Sequence, residues 1–169
     1  VEIAVVDGQR GLGNGFCLPA GPLREPPSRL QTVDFVVSNG DAAARFRDDQ
    51  FTMQVVPSCW RHLQTGGEMP LASLPVNQRL HAVAGIGNPQ RFFRTLRSLG
   101  YSIHEQVFPD HHDFSPADIA SAEGLPVVMT EKDAVKCSAF AGRDVYALIV
   151  SAELPEHLIQ AILDKLQER

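Results

Sequence analysis

The sequence predicts an α/β protein built on a mostly parallel sheet with helices on both faces. From residue 80 onward, segments patterned as strands alternate with segments patterned as helices, which is typical of βαβ units. The chain also begins on an apolar, strand-like run at residues 1–7. With 169 residues, 44% of them hydrophobic, it can bury one large core or two small ones. These observations together favour a layered α/β architecture.

Residues 1–40 predict the tail of a parallel α/β unit. The strand at 1–7 leads into a glycine-rich loop at 8–15, where the backbone is free to adopt positive φ and to approach a ligand closely. Residues 18–27 are too rich in proline for regular structure, and residues 33–40 read as a strand ending in a turn. Because a buried first strand has no partner, we expect the sequence to be the carboxyl-terminal part of a longer protein.

A small β linker is predicted at residues 41–76, with a β-rich run at 51–56 followed by glycine and proline breakers. Within it, Trp60 and His62 are interpreted as a packing residue and a surface residue rather than as ligands. The predicted organisation is therefore the end of one domain, this linker and a carboxyl-terminal α/β/α domain, at residues 1–40, 41–76 and 77–169.

The carboxyl-terminal domain is predicted to be a βαβ series, hence mostly parallel. The expected strands are residues 81–84, 101–107, 126–130 and 145–150, and the expected helices are 89–99, 116–122, about 133–139 and 155–167. The last helix has an apolar stripe opposite its charged residues, which is typical of a helix packed on a core.

Composition excludes several classes of protein. A net charge of -5 and a pI near 5.6 argue against a nucleic-acid binder, which needs a basic face. Three widely spaced cysteines without a CxxC motif suit a reducing cytoplasm and predict no structural zinc. No apolar run approaches the roughly 20 residues of a membrane span, so contact with a membrane is expected to be peripheral at most.

The loop at residues 108–114 concentrates ionisable side chains between a predicted strand and a predicted helix. Ligands of open α/β sheets bind at the carboxyl ends of strands, so Asp110 and His111 are site candidates. A solvated loop that caps a helix is the alternative.

Two further positions suggest phosphate chemistry. Arg24, in the proline-rich loop beside Glu25, can bind a phosphate with both arms of its guanidinium group, the alternative being a surface ion pair. Lys132 follows a strand end where it could meet a phosphate, and Thr130 could cap the next helix, the alternative being an exposed, charged helix start.

Two glycine-rich stretches do not match nucleotide-binding signatures. The loop containing Asn14 lacks the Gly-Lys-Ser/Thr of a phosphate-binding loop. Residues 85–90 (GIGNPQ) follow a strand as a dinucleotide fingerprint does, but Gln90 stands in place of the third glycine and Pro89 removes an amide. A plain strand-to-helix turn with Asn88 as the cap is the other interpretation.

Five stretches, in this order, closely resemble the tetraacyldisaccharide 4'-kinase family, the lipid A 4'-kinases, over residues 2 to about 137. They are DGQRGLGNG at 7–15, LPAGPLREP at 18–26, AGIGNP at 84–89, FPDH at 108–111 and MTEKDAVK at 129–136. The resemblance implies two α/β/α domains joined by a β linker, the first of them a P-loop kinase domain. It also implies transfer of the γ-phosphate of ATP, with magnesium, to the 4'-hydroxyl of a tetraacyldisaccharide 1-phosphate, at the cytoplasmic face of the bacterial inner membrane.

The same resemblance implies roles for particular residues. Arg24 and Glu25 belong at the active cleft, and His111 reaches toward a catalytic carboxylate of the first domain. Independently of the resemblance, Asp110, Lys132 and Asn14 are expected to bind substrate or nucleotide. The phosphate-binding loop and the magnesium ligands are expected in the amino-terminal half, since no Gly-Lys-Ser/Thr occurs in these residues.

Two rival functions remain open. Asp110-His111-His112 matches the short motif of Asp-His-His metal phosphoesterases, although only Asp7 and Asp113 are candidates for the additional metal ligands. The other rival is a non-catalytic nucleotide-binding α/β module, which would bind ATP without transferring its phosphate.

Overall fold

The computed structural model describes residues 1–41, 45–75, 77–121 and 124–167. The chain divides into two compact units: a first unit of Val1–Val56 with Ala152–Arg169, and a second unit of Pro57–Ser151. The boundaries fall within two long strands, β3 (Phe51–His62) and β8 (Val145–Glu153). This division groups residues 152–169 with the start of the chain, whereas the sequence grouped them with 77–151, and the three-part domain organisation stays a prediction.

The first unit contains parallel strands at the start of the chain. β1 (Ile3–Asp7) pairs in parallel with β2 (Phe35–Asn39), which pairs in parallel with the beginning of β3. β2 is a central strand, and Val36, Val37 and Ser38 are all buried. A 3₁₀ helix at Pro27–Gln31 precedes β2, and α3 (Glu156–Gln167) completes the unit. Because β1 and β2 are parallel, the glycine-rich loop leaves at their shared carboxyl edge.

The second unit is a sheet in the order β3-β8-β7-β5-β6, with the short antiparallel strand β4 (Glu68–Pro70) on the outer side of β3. The strands β5, β6 and β7 span Arg79–Ala84, Ser102–Val107 and Val127–Thr130, and the pairs β6-β5, β5-β7 and β7-β8 are all parallel. A 3₁₀ helix occupies Leu71–Ser73.

Helices cover both faces of this sheet, as the sequence predicted. α1 (Pro89–Ser98) lays Phe92, Phe93 and Leu96 on one face, together with the fully buried Trp60. α2 (Glu131–Cys137) packs on the other face, where Phe114 and Ile119 join the core. Side chains of β5 therefore alternate between two apolar layers, which explains why five of its six residues are buried.

Most predicted elements are confirmed within a few residues, and Trp60 is the packing residue that was expected. Its indole N–H donates to the Leu71 carbonyl at 3.2 Å. His62, expected on the surface, is half-buried, and its ring hydrogen-bonds the Arg143 carbonyl. β4 was not anticipated, and β3 and β8 are longer than predicted, because strand pairing extends local β propensity.

The helix predicted at 116–122 is wrong over residues 116–121: residues 116–119 form turns and 120–121 are irregular, while residue 122 lies outside the described residues. The Asp118 carboxylate accepts hydrogen bonds from the backbone N–H and the hydroxyl of Ser115, both at 2.8 Å. Ile119, just beyond, is drawn into the core. Local side-chain hydrogen bonds and one apolar anchor thus replace the expected helix.

Candidate active-site residues at the carboxyl ends of parallel strands

The loop after β1 is fixed to the edge of the sheet by its first residues. Asp7, the last residue of β1, accepts hydrogen bonds from the backbone N–H groups of Gln9 and Arg10 at 2.9 and 3.0 Å. Gly8 is buried, and a Cβ there would lie 2.6 Å from the Gly40 carbonyl oxygen. Glycine is thus required where the loop leaves the sheet, because the backbone of the turn after β2 passes so close.

Asn14 closes the middle of this loop. Its side-chain amide donates to the Ala20 carbonyl at 2.9 Å and accepts from the Phe16 N–H at 3.2 Å. A Cβ on Gly21 would lie 2.2 Å from the Asn14 Oδ1 atom, so the loop folds tightly against this side chain. Asn14 was predicted to bind substrate or nucleotide, and in the structure its carboxamide organises the loop.

Arg24 and Glu25 are both exposed at the end of this loop. Glu25 forms an ion pair with Arg29 at 3.1 Å, and Arg29 also contacts Glu2 at 2.8 Å, the hydrogen bond to Glu2 being the main cause of its raised pKa. The alternative of an Arg24–Glu25 surface pair is therefore not what the structure shows. Arg24 makes no hydrogen bond or ion pair with any described residue, so its guanidinium is available to an anion.

In the second unit, three loops meet at one edge of the sheet because β5, β6 and β7 are parallel. They are the turn after β5 (residues 85–88), the loop after β6 (108–114) and the start of α2. The predicted residues Asp110, His111 and Lys132 lie in the second and third of these. The structure thus brings together side chains that the sequence could only place at the ends of separate strands.

Asp110 and Lys132 form an ion pair across this edge. The Lys132 Nζ atom lies 3.2 Å from Asp110 Oδ1, and the same oxygen accepts the backbone N–H of His111 at 3.1 Å. The hydrogen bond from Lys132 is the largest cause of the lowered pKa of Asp110, and the charges of Lys132 and His111 add to it. The Asp110 carboxylate is therefore ionised and shared between a helix and a loop.

His111 stands out from the loop in an uncommon conformation. Its φ is +63°, in the left-handed region that non-glycine residues seldom adopt. Its side chain is 76% exposed, and its Nε2 lies 3.8 Å from Asp110 Oδ2. The imidazole is thus open to a partner outside the described residues.

His112, the next residue, is held inside the loop. Its ring stacks on Phe108 with centroids 4.4 Å apart and meets Phe114 edge-on at 5.0 Å. Its Nε2 lies 3.3 Å from Asp118 Oδ2, and the Lys136 Nζ donates to its carbonyl at 3.0 Å. The Asp118 pKa is lowered, mainly by the Ser115 backbone N–H. The two adjacent histidines therefore have different environments, one exposed and one structural.

The two histidines do not form a metal centre with their neighbours. Across residues 1–41, 45–75, 77–121 and 124–167, no group of three or more His, Cys, Asp or Glu side chains is arranged to hold a metal ion. The carboxylate of Asp110 faces Lys132, and that of Asp118 faces Ser115 and His112, so these two carboxylates are bound by neighbouring side chains. The Asp-His-His motif is thus present in the sequence without a matching ligand set in the described residues.

A fully buried carboxylate, Asp133, links two of the three loops and was missed as a site-supporting residue. Its Oδ2 accepts the Gly85 N–H at 3.1 Å and the Thr130 hydroxyl at 2.8 Å, while the Thr130 oxygen accepts the Asp133 N–H at 3.2 Å. The predicted helix cap at Thr130 is confirmed. The signal that could have revealed Asp133 is the Thr-x-x-Asp spacing, which resembles a capping box.

The glycine-rich turn after β5 is explained by packing. A Cβ on Gly85 would lie 2.9 Å from the ring of Phe114, so this position needs a glycine without any ligand. Asn88 is at the cap position of α1, but its side chain forms no capping hydrogen bond, and Pro89 opens the helix. The turn therefore agrees with the plain strand-to-helix interpretation rather than with a dinucleotide fingerprint.

The chain is similar in sequence to known proteins. The family model described as "Tetraacyldisaccharide-1-P 4'-kinase" matches residues 1–167. The chain is 51% identical over 165 residues to the tetraacyldisaccharide 4'-kinase of Alcanivorax borkumensis, covering 97% of this chain and 49% of that protein. It is 53% identical over 152 residues to the Pseudomonas putida strain W619 enzyme of the same name, covering 90% and 45%.

A solved structure is similar as well. The crystal structure of LpxK from Aquifex aeolicus in complex with ATP superposes with a TM-score of 0.70 and 25% sequence identity, covering 96% of this chain and 51% of that one. The chain thus spans about half the length of the relatives that it matches.

Proposed function

The chain belongs to the tetraacyldisaccharide-1-P 4'-kinase family, and on that premise we propose that the full-length protein is an ATP-dependent lipid kinase. It transfers the γ-phosphoryl group of ATP to the 4'-hydroxyl of a tetraacyldisaccharide 1-phosphate, in lipid A biosynthesis. The observation that carries the proposal is the match of the family model to residues 1–167, which includes both the Arg24 loop and the His111 loop.

We propose that a pair formed by His111 and a carboxylate elsewhere in the full-length protein accepts the proton of the acceptor hydroxyl. In the reaction, the bond between the hydroxyl oxygen and the γ-phosphorus forms, and the bond from that phosphorus to the β-phosphate oxygen breaks. The proton of the hydroxyl passes to the pair of His111 and its carboxylate, which acts as the base. A histidine hydrogen-bonded to a carboxylate can hold such a proton near neutral pH, and the 76% exposure of the His111 side chain supports this role.

Arg24 is proposed to stabilise negative charge on the transferred phosphoryl group. Phosphoryl transfer depends mainly on positioning and on positive charge at the γ-oxygens, and a guanidinium group binds two such oxygens at once. Arg24 is exposed and unpaired among the described residues, which supports the assignment. Glu25, beside it, is proposed to lie at the active cleft, and its ion pair with Arg29 restrains the loop locally.

The residues of this chain do not themselves fit the magnesium ion that the family implies. No cluster of three metal-ligating side chains occurs in the described ranges, and no Gly-Lys-Ser/Thr occurs in the sequence. We therefore place the magnesium ligands and the phosphate-binding loop in the half of the family's length that this chain does not cover, and we derive no step through the metal.

Because the acceptor is a lipid, we expect the reaction to take place at a membrane surface. We propose that the full-length protein acts at the cytoplasmic face of the bacterial inner membrane, attached peripherally. None of the described helices is both long enough and apolar enough to cross a bilayer. The net charge of -5 supports a non-nucleic-acid partner, since nucleic-acid binding requires positive charge.

The deciding experiment substitutes the two adjacent histidines in the full-length protein. His111→Ala is expected to lower kcat by about 10² to 10⁴, the scale of losing a proton-transfer group, with a much smaller change in the KM for ATP. The acidic limb of the pH profile of kcat is expected to shift as well. His112→Ala is the matched control and is expected to be mild in comparison. The measurement is transfer of labelled γ-phosphate from ATP to the lipid disaccharide.

Other outcomes would support the rivals. Equal loss of activity in both histidine variants, together with loss of a bound metal, would favour a phosphoesterase. ATP binding without transfer or hydrolysis by the full-length wild-type protein would favour the non-catalytic module. The 169-residue chain alone is expected to show no turnover, because it lacks a phosphate-binding loop.

A further inference from the structure

We propose that the Lys132–Asp110 ion pair fixes the conformation of the His111 loop, which makes Lys132 and Asp110 positioning residues of the phosphoryl transfer rather than ligands of ATP or substrate. The inference rests on the proposed function for its catalytic consequence. Its structural content, an anchored loop, stands on contacts within the second unit.

The first observation is that Asp110 Oδ1 joins two elements at one atom. It accepts the Lys132 Nζ at 3.2 Å from α2 and the His111 backbone N–H at 3.1 Å from its own loop. The N–H that it accepts belongs to the residue with φ of +63°. The carboxylate therefore stabilises a backbone conformation that a histidine seldom adopts, and the lysine fixes the carboxylate.

The second observation is that α2 holds the loop on both sides of His111. Lys132 binds Asp110 just before it, and Lys136 donates to the His112 carbonyl just after it, at 3.0 Å. The two lysines are four residues apart, so they lie on the same face of the helix, one turn from each other. The loop is thus bracketed by one helix, with His111 between the two attachment points.

The third observation is that α2 is itself well fixed. Its start is tied to the turn after β5 through Asp133, which is fully buried and accepts hydrogen bonds from Gly85 and Thr130. His112, on the other side, is held by Phe108 and Asp118. All flanking groups are therefore restrained, while the His111 side chain is left 76% exposed. This arrangement suits a side chain that must be presented to a partner.

The alternative is that Lys132 binds a phosphate of ATP, as its place at a strand end first suggested. A lysine in that role would share its ammonium charge between the phosphate and Asp110, and the neighbouring carboxylate would repel the phosphate. Lowering of the Asp110 pKa by Lys132 shows that the pair favours the ionised carboxylate. An anionic side chain beside the lysine is a poor setting for a phosphate, which favours the positioning role.

The first arm of the test uses the 169-residue chain and nuclear magnetic resonance. The backbone coupling constant of His111, which reports φ, and its heteronuclear NOE are measured in wild type, Lys132→Met and Asp110→Ala. Both variants are expected to lose the coupling of a left-handed residue and to show a lower NOE at residue 111. Lys165→Met, a lysine on another helix, is the control and is expected to leave residue 111 unchanged. An unchanged His111 in both loop variants would overturn the proposal, whatever the activity of the full-length protein.

The second arm measures kinetics in the full-length protein. Lys132→Met is expected to lower kcat by about tenfold to a hundredfold, the scale of a misplaced reacting group, with less than about a twofold change in the KM for ATP. Lys132→Arg, which keeps the charge, is expected to recover most of the rate. A large rise in the KM for ATP at unchanged kcat would assign Lys132 to phosphate binding and overturn the positioning role. A wild-type protein without kinase activity would refute the proposed function and, with it, the catalytic consequence, while the first arm would still decide the anchor.

Discussion

Replacing Thr130 by valine should destabilise the second unit by removing one hydroxyl from the junction of β7 and α2. Valine has nearly the shape of threonine, so no cavity forms. The Thr130 oxygen accepts the Asp133 N–H at 3.2 Å, and its hydroxyl donates to Asp133 Oδ2 at 2.8 Å. Valine removes both hydrogen bonds, and the loss of each lowers the free energy of unfolding.

The magnitude follows from these two contacts. Loss of a helix cap costs about 0.5–2 kcal/mol. Asp133 is fully buried and its Oδ1 already lacks a partner among the described residues, so the loss of one of the two donors to Oδ2 costs a further ~1–3 kcal/mol. We expect the free energy of unfolding to fall by about 1–4 kcal/mol, because the two costs overlap in part.

Trp60 provides the assay. It is the single tryptophan of the chain, it is fully buried and it lies in the second unit, so its fluorescence during urea denaturation reports the unfolding of that unit. Thr130→Ser keeps the hydroxyl and should retain most of the stability. Thr52→Val, at an exposed position on β3, should stay within about 0.5 kcal/mol of wild type. A Thr130→Val chain as stable as wild type would refute the reasoning, and so would an equal loss in Thr130→Ser.

Three other predictions concern separate parts of the chain. Arg24→Ala in the full-length protein should lower kcat by roughly one to three orders of magnitude, the scale of losing one charge-stabilising donor, and a wild-type rate would return Arg24 to a surface role. Burial raises the pKa of the Cys137 thiol to about 11, so at pH 8 it should react with iodoacetamide far more slowly than the half-buried Cys17, as mass spectrometry would show; equal rates would contradict this. Gly21→Ala places a Cβ within 2.2 Å of Asn14 Oδ1, so amide exchange in the loop should accelerate, and an unchanged exchange pattern would show that the loop tolerates the clash.

The sequence by itself determined the parts of this protein that depend on local pattern. Alternating strand and helix segments in the second half of the chain predicted a mostly parallel sheet, and β5, β6, β7 and β8 pair in that way. The sequence placed the candidate residues Asp110, His111 and Lys132 at strand ends, which predicted that they lie at one edge of the sheet, because parallel strands present their carboxyl ends there. The order of five short motifs predicted the family, which the family model confirms.

Tertiary structure decided which side chains meet. Nothing in the local sequence distinguishes His111 from His112, yet one is exposed and the other is stacked on Phe108, because only the fold brings that ring and Asp118 to the second histidine. Asp110 pairs with Lys132 across 22 positions of the chain, a contact that depends on the adjacency of loops.

The same reason explains where the structure differs from the sequence-based expectations. Glu25 lies next to Arg24 in the sequence but pairs with Arg29, four residues further on. Residues 116–121 carry good helix-start signals, yet Ser115 and the Asp118 carboxylate form local hydrogen bonds and Ile119 enters the core. Propensity and residue spacing act over a few residues. Ion pairs and buried contacts form between groups that the folded chain brings close together, so they depend on the tertiary structure.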